Sequence, residues 1–197
     1  VDNNKIIVVN NGCNLAISQQ KYNEAINSNY ILFVGADSFR KNLINALKAF
    51  NEIKNSDIKI KIVGLGKKYN LKDEIFQNKN IEIVRQVNDD ELSNLYTNAR
   101  MLIFPSFYEG FGIPPIEAMR CKCPVIASDI PVFREIYEDA VLYVNPYDIN
   151  EIKNSIVEIL DNKNLRLKLI ELGLLQSQKY SWKKSADKLI KSLKLLS

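Results

Sequence analysis

Two short stretches of this sequence carry residues whose types and spacing suit the handling of an anion. The first is Gly35-Ala36-Asp37-Ser38-Phe39-Arg40-Lys41-Asn42. Asp37 or Ser38 can cap a following helix, which puts Arg40 and Lys41 in its first turn. That end of a helix is electropositive, so each cation there is disfavoured by about 0.3–1 kcal/mol, and a bound anion reverses the cost. The second stretch runs from Pro105 to Met119 and reads PSFYEGFGIPPIEAM. Gly110 and Gly112 let the backbone approach a ligand closely and present its N–H groups. Pro114-Pro115 marks a helix start, and the free N–H groups of that helix aim at the same crevice, ready for phosphate. Glu109 on the loop and Glu117 in the first or second helical turn can both face it. A carboxylate repels phosphate, but it accepts two hydrogen bonds from a vicinal diol. Solvated surface charge explains Arg40 and Lys41 taken alone, and a helix-end preference explains Glu117 taken alone. Together they read as a site for a sugar, a diphosphate and a nucleoside in a row.

Other chemistries are excluded by composition. The chain has no histidine, which removes Ser-His-Asp and Cys-His catalysis and His-ligated metals within it. Cys121 and Cys123 would make half a metal site, but two further ligands are missing, so Cys13, Cys121 and Cys123 read as buried, reduced thiols of a cytoplasmic protein. Net charge is +4 with the basic residues scattered, not the dense basic and aromatic stripe that nucleic acid needs. Asp89-Asp90 fits a helix start better than a metal motif. No apolar run is long enough to span a bilayer, and no export signal is visible.

The elements that must position these residues follow from the hydrophobic pattern. Strands are expected at 31–34, 58–63, 81–84, 101–104, 125–127 and 141–144, with helices near 41–53, 68–77, 89–98, 115–120 and 132–136. A seventh short strand is expected over Lys5–Val9. The alternation predicts a single α/β domain: a Rossmann-like, doubly wound, six-stranded parallel sheet in the order 3-2-1-4-5-6. Its ligand crevice lies beyond the carboxyl ends of the first and fourth strands, where the two stretches fall. After Asp148 the chain turns helical, with Ile152, Ile156, Ile159 and Leu160 on one apolar face. Trp182, Ala186, Leu189, Ile190 and Leu193 mark another, edged by Lys183, Lys184, Lys188, Lys191 and Lys194. That tail reads as packed on the sheet with snorkelling lysines; weak peripheral attachment at the inner face of a membrane is the other reading.

The string PSFYEGFGIPPIEAM resembles the Glu-x7-Glu signature of retaining GT-B glycosyltransferases of family four, the glycosyl transferases group 1. The resemblance continues through PVIASDIPVFREIYEDA and LYVNPYD, and upstream through NNGCNL, ILFVGADSFRKN, IKIVGLG and DDELSNLYTNA. It implies the C-terminal, donor-binding domain of a two-domain enzyme. Residues 1–30 would lie near the interdomain crossing, 31–180 would bind the nucleotide sugar, and the helix over 181–197 would pack toward an N-terminal domain. The opening Val1 in place of Met fits a fragment.

By that resemblance Arg40 and Lys41 neutralise the donor diphosphate, Glu109 lies near the donor sugar's hydroxyls, and Glu117 holds the ribose. Gly110, Phe111, Gly112 and Ile113 line the sugar and phosphates with backbone, and Gly35 borders them. Arg85, Gln86 and Val87 meet the base, with Leu92 packed nearby; Gly64 and Gly66 rank lower. The family's usual glycines are Lys122 and Glu138 here, and a frequent arginine is Ala36. The implied reaction transfers a hexose, mannose leading, from a GDP- or UDP-sugar to a glycan or lipid-linked acceptor bound through the N-terminal domain, with no metal or other cofactor. A GT-B epimerase and a non-catalytic nucleotide-binding scaffold are the alternatives.

Overall fold

A computed structural model describes residues 6–13, 15, 29–35, 38–54, 57–67 and 69–194. Six strands, β1 (Tyr30–Val34), β2 (Lys59–Val63), β3 (Ile81–Val84), β4 (Leu102–Phe104), β5 (Val125–Ser128) and β6 (Leu142–Val144), form one sheet. All pairings are parallel and the order is β3-β2-β1-β4-β5-β6, as the sequence predicts. The central strands are apolar along their whole length because both sheet faces are covered. Leu32 and Val34 point into one core, and Ile31 and Phe33 into the other.

The helices are α1 (Leu43–Asn51), α2 (Asp89–Asn98), α3 (Ile113–Arg120), α4 (Pro131–Tyr137), α5 (Ile149–Asp161), α6 (Lys163–Ser177) and α7 (Trp182–Lys194). Residues of α2, α3 and α4 join the Leu32 core, and those of α1 and α5 the Ile31 core. Ile152, Ile156 and Ile159 of α5 are fully buried. Asn88 opens α2 with a capping box: its side chain accepts from Glu91 N–H at 2.9 Å, and the Glu91 carboxylate accepts from Asn88 N–H at 2.9 Å. Asp89 and Asp90 sit in the first turn, where the helix end favours them.

Four expectations are corrected. Over 68–77 there is only a 3-10 turn, Glu74–Phe76, among the described residues; Lys68 lies outside them. The Asn70 side chain accepts from Lys72 N–H at 3.1 Å and donates to Asp73 at 2.9 Å, and such local bonds compete with helix. The helix expected over 41–53 is broken at Asn42, which is left-handed (φ 60), so Arg40 and Lys41 belong to a separate 3-10 turn, Phe39–Lys41. Ser38 makes no side-chain cap, and Asp37 and Ala36 lie outside the described residues. Ile6–Val9 forms no strand and stays exposed; Lys5 lies outside the described residues.

The C-terminal tail also departs from the sequence expectation. Helix α7 buries no residue, so it is not packed on the sheet. Trp182, Leu189, Ile190 and Leu193 remain exposed. The start of α7 is held instead by the N-terminal segment: Ser185 Oγ donates to Asn10 O at 2.6 Å. Gly12 approaches so closely that a Cβ there would lie 2.1 Å from Trp182 N. No helix among the described residues is long and apolar enough to cross a membrane.

Lys122 and Glu138, which stand where the resembled family has glycine, adopt φ 59 and φ 49. Both turns demand the left-handed backbone that glycine adopts without strain.

Candidate functional site

Strands β1 and β4 are neighbours at the point where the strand order reverses, so the chains leaving them open a crevice. Buried polar bonds fix its walls. Phe107 N–H donates to Arg40 O at 2.8 Å, joining the two loops. Asn42 Nδ2 donates to Pro105 O at 3.0 Å and to Pro146 O at 2.7 Å. Ser128 Oγ donates to Ser106 O at 2.6 Å, tying in β5.

Within this frame Arg40, Lys41 and Glu109 come together. Glu109 Oε1 contacts Arg40 Nη1 and lies 2.8 Å from Lys41 Nζ. Ser106 Oγ donates to the same oxygen at 3.1 Å. The Lys41 and Glu109 side chains are each only 8% exposed, whereas that of Arg40 is 34% exposed. A lysine so deeply placed needs a partner, and Glu109 together with the face of Phe104, 4.3 Å from Nζ, provides it. Gly35, at φ 80, lets Lys41 pass over it; a Cβ there would sit 3.5 Å from Lys41 Cε. The cations are therefore held by a carboxylate rather than by the end of α1.

The glycine loop leads from this cluster into α3. Gly112, at φ 87, is the N-cap of α3, and a Cβ on it would fall 1.9 Å from the Tyr137 hydroxyl. That hydroxyl lies 2.8 Å from Gly112 O and 3.2 Å from Phe111 O. Burial, and then the nearby Glu109 charge, push the Tyr137 phenol well above its ordinary pKa, so it stays a donor. The Phe111 ring is buried edge-on to Tyr180, 5.4 Å between centroids, which leaves Phe111 only its backbone to offer. Gly110 differs: a Cβ there would meet nothing within 4 Å. The chain's own packing gives no reason for glycine at 110, whereas a ligand on the loop does.

Glu117 stands in the second turn of α3, on the α2 side. Its Oε2 accepts from the buried Tyr96 hydroxyl at 3.0 Å. Burial raises the Glu117 pKa; the Tyr96 bond opposes that shift and the Asp89 charge adds to it. Val87 and Leu92 pack against the core that holds Tyr96, and Ile113 packs there too. Two clefts flank the loop after β3. One, of about 470 Å³, is lined by Val84, Gln86, Val87, Glu91 and Leu95. The other, of about 510 Å³, is lined by Gly66, Ile83, Arg85 and Gln86. Arg85 thus faces the cleft opposite Val87, and Gly64 (φ 72) closes the end of β2.

Sequence reasoning missed Asn42, Tyr96, Ser106 and Tyr137 as positioning residues. Tyr96 and Tyr137 have a readable signal: each places a large phenol on the buried face of its helix, where the hydroxyl must find a partner. The three thiols are free and buried; burial raises Cys13 and Cys121 and lifts Cys123 well above its ordinary pKa.

A parallel sheet of this order, with a glycine loop and a helix end at its switch point, defines a Rossmann-like, doubly wound domain. The family model for glycosyl transferases group 1 matches residues 16–176, and the chain belongs to that family, as the C-terminal domain of a GT-B, family-four glycosyltransferase. It is 37% identical over 169 residues to the O-antigen chain mannosyltransferase RfbU of Salmonella typhimurium, covering 81% of this chain and 45% of that protein. It is 36% identical over 187 residues to the uncharacterized glycosyltransferase MJ1178 of Methanocaldococcus jannaschii, covering 92% and 51%. The sucrose-phosphate synthase structure from Thermosynechococcus elongatus superposes with a TM-score of 0.82 at 25% identity, covering 96% of this chain and 52% of that one. The chain spans about half the length of these two relatives.

Proposed function

We propose that this domain binds a nucleoside-diphosphate sugar, GDP-mannose ahead of UDP-sugars, and serves a retaining hexosyl transfer to a glycan or lipid-linked acceptor. The observation that carries the reading is the row of groups along the crevice. Glu117 with one fixed oxygen stands at one end, the glycine loop and α3 N-terminus in the middle, and Arg40, Lys41 and Glu109 at the other. A diol fits Glu117, a diphosphate fits the N–H groups and the two cations, and the sugar falls beside Glu109 and Gly110. As the bond from the anomeric carbon to the diphosphate breaks, negative charge grows on the leaving oxygen. Arg40, Lys41 and the helix end stabilise it there, so the residues themselves supply what a metal would. The mannosyltransferase among the relatives supports mannose. The base would meet Arg85–Val87 through backbone groups.

A single sheet supplies one wall of a crevice, while transfer needs two oriented reactants and exclusion of water. The exposed apolar face of α7 and the exposed Ile6–Val9 segment suit packing toward an N-terminal domain, so the 197-residue chain should bind donor without transferring sugar. The test is calorimetric titration of GDP, UDP and GDP-mannose with and without magnesium, followed by transfer assays. Magnesium-independent binding that falls much more for the diphosphate than for the nucleoside in an Arg40→Ala variant, which keeps the Lys41–Glu109 pair, supports the reading. Equal loss for both, or no nucleotide binding, sinks it. Transfer to a specific acceptor by the chain alone refutes the two-wall argument.

A further inference from the structure

One oxygen of Glu109 is shared by three groups: Oε1 contacts Arg40 Nη1, lies 2.8 Å from Lys41 Nζ and accepts from Ser106 Oγ at 3.1 Å. The three are not held alike. Lys41 is fixed apart from the carboxylate, because its side chain passes over Gly35, its Nζ sits over the Phe104 ring and it is almost wholly buried. Ser106 is fully buried, and its carbonyl accepts from Ser128 Oγ. Arg40 is the loose member. Its side chain is the most exposed of the cluster. Nη1 is buried and touches Oε1, yet it has no hydrogen-bond partner among the described residues. Phe107 N–H fixes only the Arg40 carbonyl, so the guanidinium can swing while its turn stays in place. Ser38 Oγ, at the start of the same turn, is also buried without a hydrogen-bond partner among the described residues. Buried donors left unmatched are uncommon in a folded protein, and two on one turn at the switch point mark it as incomplete without a ligand.

We propose that Glu109 holds the place of the diphosphate on Arg40 in the empty site, and thereby selects an intact sugar nucleotide over the nucleoside diphosphate that transfer leaves behind. The proposal rests on the donor-binding reading of this crevice. A diphosphate brings more charge than a carboxylate, and its oxygens suit the planar guanidinium fork, so it takes Arg40 over. Lys41 and Ser106 keep Oε1, so the carboxylate is not stranded by the exchange. With Arg40 withdrawn, Glu109 has acceptor capacity to spare. A sugar hydroxyl beside the glycine loop donates to it. A diphosphate without sugar offers no donor and sets its own negative charge near the carboxylate. Glu109 therefore opposes the product more than the donor. Once the sugar has left, the Arg40–Glu109 contact re-forms and favours release.

The experiment is calorimetric titration with GDP and GDP-mannose, and with UDP and UDP-glucose, of the wild type, Glu109→Gln, Arg40→Ala and the double variant. Glu109→Gln should tighten the nucleoside diphosphate about tenfold and leave the sugar nucleotide no tighter, so the preference for the intact donor narrows. In the Arg40→Ala background the same change should gain clearly less, because no contact is left to exchange. Diphosphate affinity unchanged or lowered by Glu109→Gln overturns the proposal. So does a gain equally large for the sugar nucleotide, or one retained in full without Arg40. Side-chain resonances of the wild type give a second reading that needs no variant to fold. GDP should shift the Arg40 Nε–H and Glu109 carboxyl signals together, and an Arg40 shift with Glu109 unmoved overturns the exchange. A wild type that binds neither nucleoside diphosphates nor sugar nucleotides removes the donor reading and the exchange with it, whereas nucleotide binding without these changes removes the exchange alone.

Discussion

Glu109 and Glu117 lie on one continuous loop-and-helix segment, and their surroundings are opposite. Glu109 is enclosed by opposite charge: Arg40 and Lys41 both pair with its Oε1, and the Ser106 hydroxyl donates to it. Glu117 has one phenol, Tyr96, and a carboxylate neighbour, Asp89, with burial raising its pKa. The first is a satisfied charge that a ligand must rearrange around. The second carries a desolvation cost that a hydrogen-bonding ligand relieves. Two identical side chains thus divide a structural task from a receptive one, and the division follows from neighbours rather than from residue type.

The sharpest way to break this contrast is to remove the Lys41 charge. Lys41→Met leaves Glu109 mostly buried, with the half-buried Arg40 as its one cation beside the Ser106 hydroxyl, and should destabilise the fold by about 3–5 kcal/mol. Adding Glu109→Gln should recover most of that loss, because the stranded charge is gone. Denaturant unfolding of both variants reads the effect. A cost below ~1 kcal/mol for Lys41→Met, or no recovery in the double variant, would show that the pair is no structural unit.

Between the two carboxylates lie two glycines that should respond differently. Gly112→Ala drives a methyl into the Tyr137 hydroxyl at a left-handed φ, a combination costing roughly 2–4 kcal/mol. Gly110→Ala meets open space, should change stability by less than about 0.5 kcal/mol, and should weaken donor binding instead. Thermal unfolding beside a nucleotide-sugar titration separates them. Equal stability losses would mean that Gly110 serves the fold alone.

Glu117→Gln tests the receptive side. Nucleotide affinity should fall by about 1–3 kcal/mol, and the penalty should shrink for a 2′,3′-dideoxy analogue, which lacks the diol. Without ligand the sign reverses. A carboxyl whose folded pKa is raised binds its proton more tightly folded than unfolded. Wild-type stability therefore declines as pH rises from the ordinary carboxylate value through the raised one, and stays lowered above it. The glutamine has no such decline, so at neutral pH the unliganded variant should melt higher, by about 2–4 °C for each kcal/mol recovered. A variant that melts lower at every pH would show Glu117 stabilising the empty fold.

Much of this arrangement was legible in the sequence, for identifiable reasons. Tyr30–Val34 and Leu102–Phe104 are short, wholly apolar strands of a sheet covered on both faces, and the order follows from right-handed crossovers. The glycine loop and its prolines mark the α3 start to within two residues. Less legible were features that tertiary contacts decide. Asn42 breaks the expected helix because its amide is drawn to Pro105 and Pro146, carbonyls 63 and 104 positions away in sequence. Asn70 diverts its segment into turns. The apolar face of α7 has the period of a packed helix, yet period alone names no partner, and α7 buries nothing here. The proximity of Glu109 to Arg40 and Lys41 needed the β1–β4 adjacency and the loop bond between them, not either string alone.

The smallest expected effect probes how Glu117 is held in place. Tyr96 is fully buried, and its phenol is pushed well above its ordinary pKa by burial and then by the Glu117 charge. It is therefore a permanent donor to Oε2, and on the proposed donor reading it leaves Oε1 for the ribose. Tyr96→Phe removes that donor at almost constant shape. It should cost nucleotide affinity about 0.5–1.5 kcal/mol, less than Glu117→Gln, because the carboxylate remains but is free to turn. The two changes act on one hydrogen bond, so they should not add: in the Glu117→Gln background, Tyr96→Phe should cost clearly less. The double-mutant cycle is read by calorimetric titration with GDP. Strict additivity would place the Tyr96 effect in the core packing and leave Glu117 positioned by something else.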